Sequence, residues 1–186
     1  QFSDAISTLR TILSYRPDDT LSRIYYINVY RQEGNERDLV DDYLQLGISY
    51  SKHGNISEAD DTFNYAINIA PDYLKGYESY FEFLLETGRR ESALSIGLSL
   101  SVLLLDQNEP VRAGYTLDRL SDIAGKEPRY YFLRGRAHLM ANNRGQATIE
   151  LKTALRLYRQ DRDVDGELES LRQLTESDPQ EIVFRR

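Results

Sequence analysis

The sequence repeats a pattern of small, aromatic and aliphatic residues, and this repetition constrains the fold more than any other feature. The clearest copy is the 34-residue window from Val40 to Tyr73. Its first half carries Tyr43, Leu46, Gly47 and Tyr50, and its second half carries Ala59, Phe63 and Ala66 before Pro71. Spacings of three and four residues place these positions on single helix faces, so the window predicts two helices joined by a turn at Gly54. Gly47 and Ala59 are small, which predicts that the two helices cross closely there.

Two further copies and two partial ones follow the same pattern. Residues 74–107 carry Tyr77, Tyr80, Leu84, Gly88, Ala93 and Gly97, and residues 128–161 carry Tyr131, Gly135, His138, Ala147, Leu151 and Ala154. Residues 1–17 (Leu9, Ile12, Pro17) and residues 163–180 (Leu171, Leu174, Pro179) match second helices of incomplete copies. We therefore expect the chain to be a piece of a longer array. The segments 20–33 and 109–125 are predicted to be helical, but whether they belong to degenerate repeats stays open.

The window Val40–Tyr73 resembles a tetratricopeptide repeat, with Tyr43 where that family most often has tryptophan. The resemblance implies an all-α fold, a right-handed superhelix of stacked antiparallel helix pairs in a single solenoid over residues 1–186. Breaks in the apolar periodicity divide the chain into about ten helices. Pro110 is predicted to lie in the first turn of a helix, and Ser57 is predicted to cap the second helix of the clearest repeat.

Composition excludes several classes of protein. There is no cysteine, which excludes disulfides, cysteine-ligated zinc and thiol catalysis. Neither a transmembrane run nor a signal peptide is visible in the sequence, so we expect no membrane insertion and assign no compartment. The first residue is Gln1 rather than methionine, and we expect the native N-terminus to lie upstream. The net charge of −7 disfavours nucleic acid as a partner, although residues 112–162 hold eleven Lys or Arg against five Asp or Glu.

No set of residues predicts catalysis, a metal site or a cofactor. His53 is predicted to lie at a helix end, and His138 occupies a packing position of a repeat. The adjacent acidic pairs, Asp41-Asp42 and Asp60-Asp61, diverge on a helix surface and are not expected to act as carboxylate dyads. The run Asp161, Asp163 and Asp165 has the spacing of a calcium loop, but the twelfth position is Arg172 instead of glutamate. We therefore expect no enzyme, no metal and no cofactor.

In tetratricopeptide proteins the first helix of each repeat lines a concave groove, and the resemblance transfers this role by position. The predicted groove residues are Leu44, Ile48 and Lys52, then Lys75, Glu78, Glu82 and Leu85, then Arg129, Phe132, Arg136 and Leu139. Leu44 and Ile48 are equally well explained by packing against the preceding helix. One subtype of the family holds a terminal carboxylate with Lys, Arg and Asn on these faces, and the apolar Leu44 and Ile48 argue against it here.

These observations favour a protein–protein interaction scaffold that holds a peptide or helix of a partner in the groove, as part of a larger protein or complex. The alternative is a regulatory or sensory domain of a larger protein whose basic segment, residues 112–162, contacts an acidic partner or nucleic acid. The sequence names neither the partner nor the oligomeric state.

Overall fold

A computed structural model describes residues 2–32, 34 and 36–177 of the chain. Within these residues the protein contains eleven α-helices, one short 3-10 helix and no β-strand, which confirms the predicted all-α class. The chain divides into two compact units, unit 1 (Gln1–Arg89) and unit 2 (Arg90–Arg186). No helix in the described residues combines the length and the apolar character that crossing a membrane requires.

Unit 1 is a series of helices in which each packs on the next. Its elements are α1 (Phe2–Tyr15), α2 (Thr20–Tyr30), the 3-10 helix Glu36–Leu39, α3 (Val40–Lys52), α4 (Ile56–Ile69) and α5 (Leu74–Glu86). Helix α2 begins after Asp19, whose side chain accepts a hydrogen bond from the Ser22 amide at 3.0 Å. This bond satisfies an amide that has no partner within the helix, and it lowers the pKa of Asp19.

Helices α3 and α4 form the pair predicted for the clearest repeat. A Cβ atom on Gly47 would lie 3.0 Å from the Phe63 ring, so only glycine allows this close approach without displacing the ring. Ala59 and Ala66 are almost completely buried, as their small size predicts. Gly54 adopts φ +79° between the helices, a left-handed conformation that favours glycine. The N-cap of α4 is Asn55 and not Ser57, so the capping prediction was wrong.

Unit 2 contains α6 (Arg90–Asp106), α7 (Pro110–Asp118), α8 (Ser121–Ala124), α9 (Pro128–Met140), α10 (Arg144–Asp161) and α11 (Val164–Ser177). Pro110 opens α7 as predicted. The pair α9 and α10 repeats the geometry of α3 and α4, because Gly135 lies against Leu151, sixteen residues further along, as Gly47 lies against Phe63. Ala147 and Ala154 are fully buried at the positions equivalent to Ala59 and Ala66.

The repeat predicted for residues 74–107 is divided between the units, with α5 in unit 1 and α6 in unit 2. Within unit 2, α6 pairs with α7 and also contacts α9. Helix α6 buries one face, which includes Gly97, Leu100 and Leu104, and it contacts α7, α8 and α9. The segment 109–125 supplies α7 and the short α8.

Helix α11 differs from its interpretation as a second helix. It follows α10 and packs on both α9 and α10, which is the position of the first helix of a next repeat. Helices α9 and α10 already form a complete pair, so the helix that follows them takes the place of a first helix. Pro179, which the sequence interpretation used as the end of this helix, lies outside the described residues, as do Glu33 and Asn35 of the predicted break before α3.

Candidate functional site

The titratable residues considered for chemistry have separate local partners. His53 caps the C-terminus of α3, where its Nδ1 lies 2.7 Å from the Ser49 carbonyl oxygen. His138 is half-buried on α9. The two members of the pair Asp41-Asp42 point to different cations, Asp41 to Lys75 at 2.7 Å and Asp42 to Arg23 at 2.7 Å.

Two of the other acidic residues, Asp60 and Asp163, have structural partners. Asp60 accepts hydrogen bonds from the Tyr80 hydroxyl at 2.9 Å and from Arg89 at 2.6 Å. Asp163 accepts one from the Gly166 amide at 3.0 Å at the start of α11. Across the described ranges, no three His, Cys, Asp or Glu side chains come together as metal ligands would.

The three predicted groove residues of α3 differ in exposure. Leu44 is completely buried, and Ile48 is half-buried. Helix α2 packs on α3, and Arg23 of α2 forms its ion pair with Asp42 of α3. The assignment of Leu44 to a binding surface is therefore corrected, because its side chain is not accessible to a partner. Lys52 is exposed and lies 3.4 Å from Asp18.

The α5 part of the predicted groove is partly exposed. Lys75 and Glu82 are exposed, whereas Glu78 and Leu85 are half-buried. Lys75 donates to Asp41, and this bond, together with one from the Tyr73 hydroxyl at 3.1 Å, lowers the pKa of Asp41. A cleft of about 270 Å³ in unit 1 is lined by Arg37, Asp38, Val40, Asp41, Ala70 and Tyr73, and so by none of the predicted groove residues.

The groove residues predicted on α9 line two cavities of unit 2. The cavities have volumes of about 280 Å³ and about 400 Å³, and they share Arg136. We call them together the α9–α11 trough. Helix α9 contributes Arg129, Phe132, Leu133, Arg136, Leu139 and Met140. Helix α11 contributes Asp165, Gly166, Glu169, Gln173 and Glu176. All four predicted residues of α9 therefore line one or both of these two cavities.

The two helices run in the same direction beside the trough. Early residues of both, Arg129 and Asp165, line the first cavity, and late residues of both, Met140 and Glu176, line the second. The lining from Arg129 to Met140 extends about 17 Å along α9 at about 1.5 Å per residue. This length accommodates about five residues of an extended chain at about 3.3 Å each.

The apolar lining of the first cavity combines buried and accessible side chains. Leu133 and Tyr158 are buried, whereas Phe132 and Val102 of α6 are half-buried and present part of their surface. Burial raises the pKa of Tyr158 to about 12, so its hydroxyl stays neutral at physiological pH. Gly166 allows α11 to approach, because a Cβ atom there would collide with the Tyr158 ring.

The charged lining is divided by sign between the two helices. Arg129 and Arg136 lie on α9, and Asp165 and Glu169 lie on α11. The α11 residues were missed because residues 163–180 were interpreted as a second helix, which would not face the groove. Counting helices from the complete pair at 128–161 would have identified α11 as a first helix, and its lining positions would have followed.

Several cations of the basic segment, residues 112–162, are engaged within unit 2. Those paired with carboxylates include Arg112, Arg134, Arg136 and Arg159. Arg134 has the most partners, with Tyr130 at 2.8 Å, Glu150 at 3.1 Å and Asp118 at 3.3 Å. Those lining the trough are Arg129, Arg136 and Arg144.

No protein-family model matches the chain, and no curated protein does so either. Among solved structures, a tetratricopeptide repeat protein from Parabacteroides merdae is 14% identical with a TM-score of 0.44, covering 94% of this chain and 74% of that one. PilF of Pseudomonas aeruginosa is 13% identical with a TM-score of 0.39, covering 97% and 93%. YrrB, described as a TPR protein with an unusual peptide-binding site, is 14% identical with a TM-score of 0.38, covering 88% and 97%.

The internal evidence for the fold is the repeated packing of its helix pairs. The contact of Gly47 with Phe63 in unit 1 recurs between Gly135 and Leu151 in unit 2, with the same sixteen-residue spacing. In both pairs the alanines of the second helix are buried where the repeat pattern places them. By the spacing of these residues and the pairing of its helices, the chain has a helical-repeat fold of the tetratricopeptide type.

Proposed function

We propose that this protein is an interaction scaffold whose α9–α11 trough holds an extended segment of a partner protein. The observation that carries the proposal is the trough itself, two open cavities that share Arg136 and follow α9 over about 17 Å, with partly exposed apolar side chains between charged ones. The first cavity, at about 280 Å³, lies at or below the range of about 300–1,000 Å³ typical of small-molecule pockets. Its size suits one or two side chains of a longer ligand.

The apolar side chains of the trough supply the expected binding energy. Phe132 and Leu139 are half-buried, and Met140 is 40% exposed, so a partner covers apolar surface that water now contacts. Removing such surface from water contributes about 25 cal/mol per Å². Aromatic residues in partly enclosed pockets are frequent centres of binding energy. YrrB, whose described peptide-binding site belongs to that protein, offers a parallel for peptide recognition on a repeat scaffold.

The test is a selection of peptides from a random displayed library of about nine residues, using the full 186-residue chain as bait. Enriched peptides are synthesised and their Kd is measured by fluorescence anisotropy. Phe132→Ala is expected to weaken binding by about tenfold or more, because truncating a central aromatic anchor costs at least about 1–2 kcal/mol. The circular dichroism spectrum of each variant establishes that it remains folded.

The matched control is Ile149→Ala. Ile149 is an apolar residue of α10, 58% exposed, and it does not line the trough. This variant is expected to bind the selected peptides with unchanged Kd. Equal loss of binding in Phe132→Ala and Ile149→Ala, or no loss in either, contradicts the proposal that the trough is the binding site.

A further inference from the structure

The walls of the α9–α11 trough carry opposite charges that do not pair with each other. In the first cavity, Arg129 and Arg136 of α9 stand on one side, with Asp165 and Glu169 of α11 on the other. Among the described residues, Arg136 forms its ion pair with Asp106 of α6, at 3.7 Å. Glu169 forms its ion pair with a residue of its own helix, Arg172, at 3.4 Å. The trough therefore keeps cations and anions apart although they face one cavity.

The same division continues into the second cavity. Arg136 belongs to both cavities, and Arg144, at the start of α10, lines the second on the side of α9. Glu176, near the end of α11, lines it on the opposite side. In both cavities the acidic lining residues thus come from α11, and the basic ones come from α9 and the start of α10.

Two walls of opposite charge disfavour a partner segment whose charges all have the same sign. An acidic segment gains attraction from Arg129 and Arg136 but meets repulsion from Asp165 and Glu169, and a basic segment meets the reverse. A segment with both signs gains from both walls when its acidic edge lies along α9. Like charges placed in contact are costly, so the arrangement sets specificity more than raw affinity.

Resting on the function proposed above, we propose that the partner segment is bipolar: it carries acidic side chains towards α9, basic side chains towards α11 and an apolar side chain between them. The apolar side chain contacts Phe132 and Val102. In an extended chain, successive side chains point to opposite sides. The two signs therefore alternate in the sequence of the partner, and its net charge is close to zero.

The experiment repeats the peptide selection with one wall reversed at a time. The baits are the full chain, its Arg129→Glu/Arg136→Glu variant and its Asp165→Lys/Glu169→Lys variant. The unmodified chain is expected to enrich peptides that carry both signs. With both walls acidic, the first variant is expected to enrich basic peptides. With both walls basic, the second is expected to enrich acidic ones.

Affinity measurements supply the quantitative form of the test. A synthetic peptide enriched by the unmodified chain is expected to bind either variant about tenfold more weakly at low salt, since each exposed charge contributes up to about 1 kcal/mol. The difference is expected to shrink at about 1 M salt, where the Debye length falls to about 3 Å. A peptide of identical composition with its charges regrouped by sign, acidic residues first, is expected to bind the unmodified chain less well.

The Asp165→Lys/Glu169→Lys variant needs a second version that removes the acidic charges without adding basic ones. Asp165 lies in the first turn of α11, where a carboxylate is favourable and a lysine is not. Asp165→Asn/Glu169→Gln removes the acidic wall without adding a cation there. It is expected to enrich peptides of net negative charge, so the acidic wall is tested even where the lysine variant unfolds.

The possible results separate this inference from the function on which it rests. Peptides of a single sign enriched by the unmodified chain, and lost with Phe132→Ala, overturn the bipolar partner and leave the trough as a binding site. Peptides whose binding is insensitive to Phe132→Ala, or no enrichment at all, overturn the trough function and the inference together. Peptides that carry both signs but bind both charge-reversal variants with unchanged Kd overturn the inference. If their binding still requires Phe132, the proposed function of the trough stands.

Discussion

Gly135 provides the most direct test of the packing that defines the repeat. A Cβ atom at this position would lie 2.5 Å from Cγ and 2.7 Å from Cδ2 of Leu151. Leu151 is completely buried, so its side chain cannot move out into solvent. Overpacking costs about 1–3 kcal/mol, and we expect the upper part of this range because Cγ is fixed close to its own backbone. Alanine otherwise stabilises a helix interior by about 0.5–1 kcal/mol relative to glycine. Gly135→Ala is therefore expected to lower the free energy of unfolding by about 1–2 kcal/mol.

The matched control is Gly114→Ala in α7 of the same unit. No other atom lies within 4 Å of the position that its Cβ would take, apart from its own helix backbone and chain neighbours. This variant is expected to raise the free energy of unfolding by about 0.5–1 kcal/mol. Since both changes are from glycine to alanine within a helix, their difference isolates the steric cost at Leu151. Urea unfolding followed by far-ultraviolet circular dichroism measures both, and equal stabilities would refute the close crossing of α9 and α10.

Three further predictions concern both units. Ala59→Leu is expected to cost about 1–3 kcal/mol, because Ala59 is fully buried; an unchanged thermal midpoint would show that the repeat register is wrong. Lys75 lowers the pKa of Asp41, so the ionised form stabilises the fold above about pH 4, and this contribution is lost as the pH falls through the lowered pKa. Asp41→Asn is therefore expected to reduce the difference between the free energies of unfolding that urea titrations give at about pH 7 and at about pH 3. An unchanged difference would contradict the hydrogen bond between Lys75 and Asp41. Arg134→Met is expected to cost about 2 kcal/mol through lost charged hydrogen bonds, whereas the exposed Arg156→Met should stay within about 0.5 kcal/mol of the unmodified chain; similar thermal midpoints for these two variants would count against the Arg134 network.

The local part of the fold was predictable because the repeat pattern encodes contacts within one helix pair. Gly47, Phe63 and Ala59 lie within seventeen residues, and their sizes specify which surfaces meet. The same pattern identified α9 and α10 through Gly135 and Leu151. The pattern is weaker over residues 74–107, where the predicted repeat stays a prediction. Residues 74–107 have the periodicity of a helix pair, yet α5 and α6 belong to different units.

Position within the repeat predicted groove residues on α3, α5 and α9, and their role in binding stays a prediction. Arg129, Phe132, Arg136 and Leu139 were assigned to a groove by position, and in the structure they line the α9–α11 trough. The equivalent assignment on α3 was wrong for Leu44, which is buried. Phe132 lies at the position equivalent to Leu44, eighty-eight residues later, and it remains half-exposed. Position within a repeat therefore indicates which way a side chain points, but not what covers it.

The sequence by itself determined the helices, their turns and the close crossings within each pair, because these depend on spacing and side-chain size over a few tens of residues. Only the tertiary structure decided which helix faces stay open. Packing between segments that have no shared pattern decides whether α2 covers α3. It also decides whether α11 lies beside α9, with Asp165 and Glu169 opposite Arg129 and Arg136. The burial of a side chain and the charges near it depend on neighbours that the folding of the whole chain brings together. They therefore cannot be predicted from a short stretch of sequence.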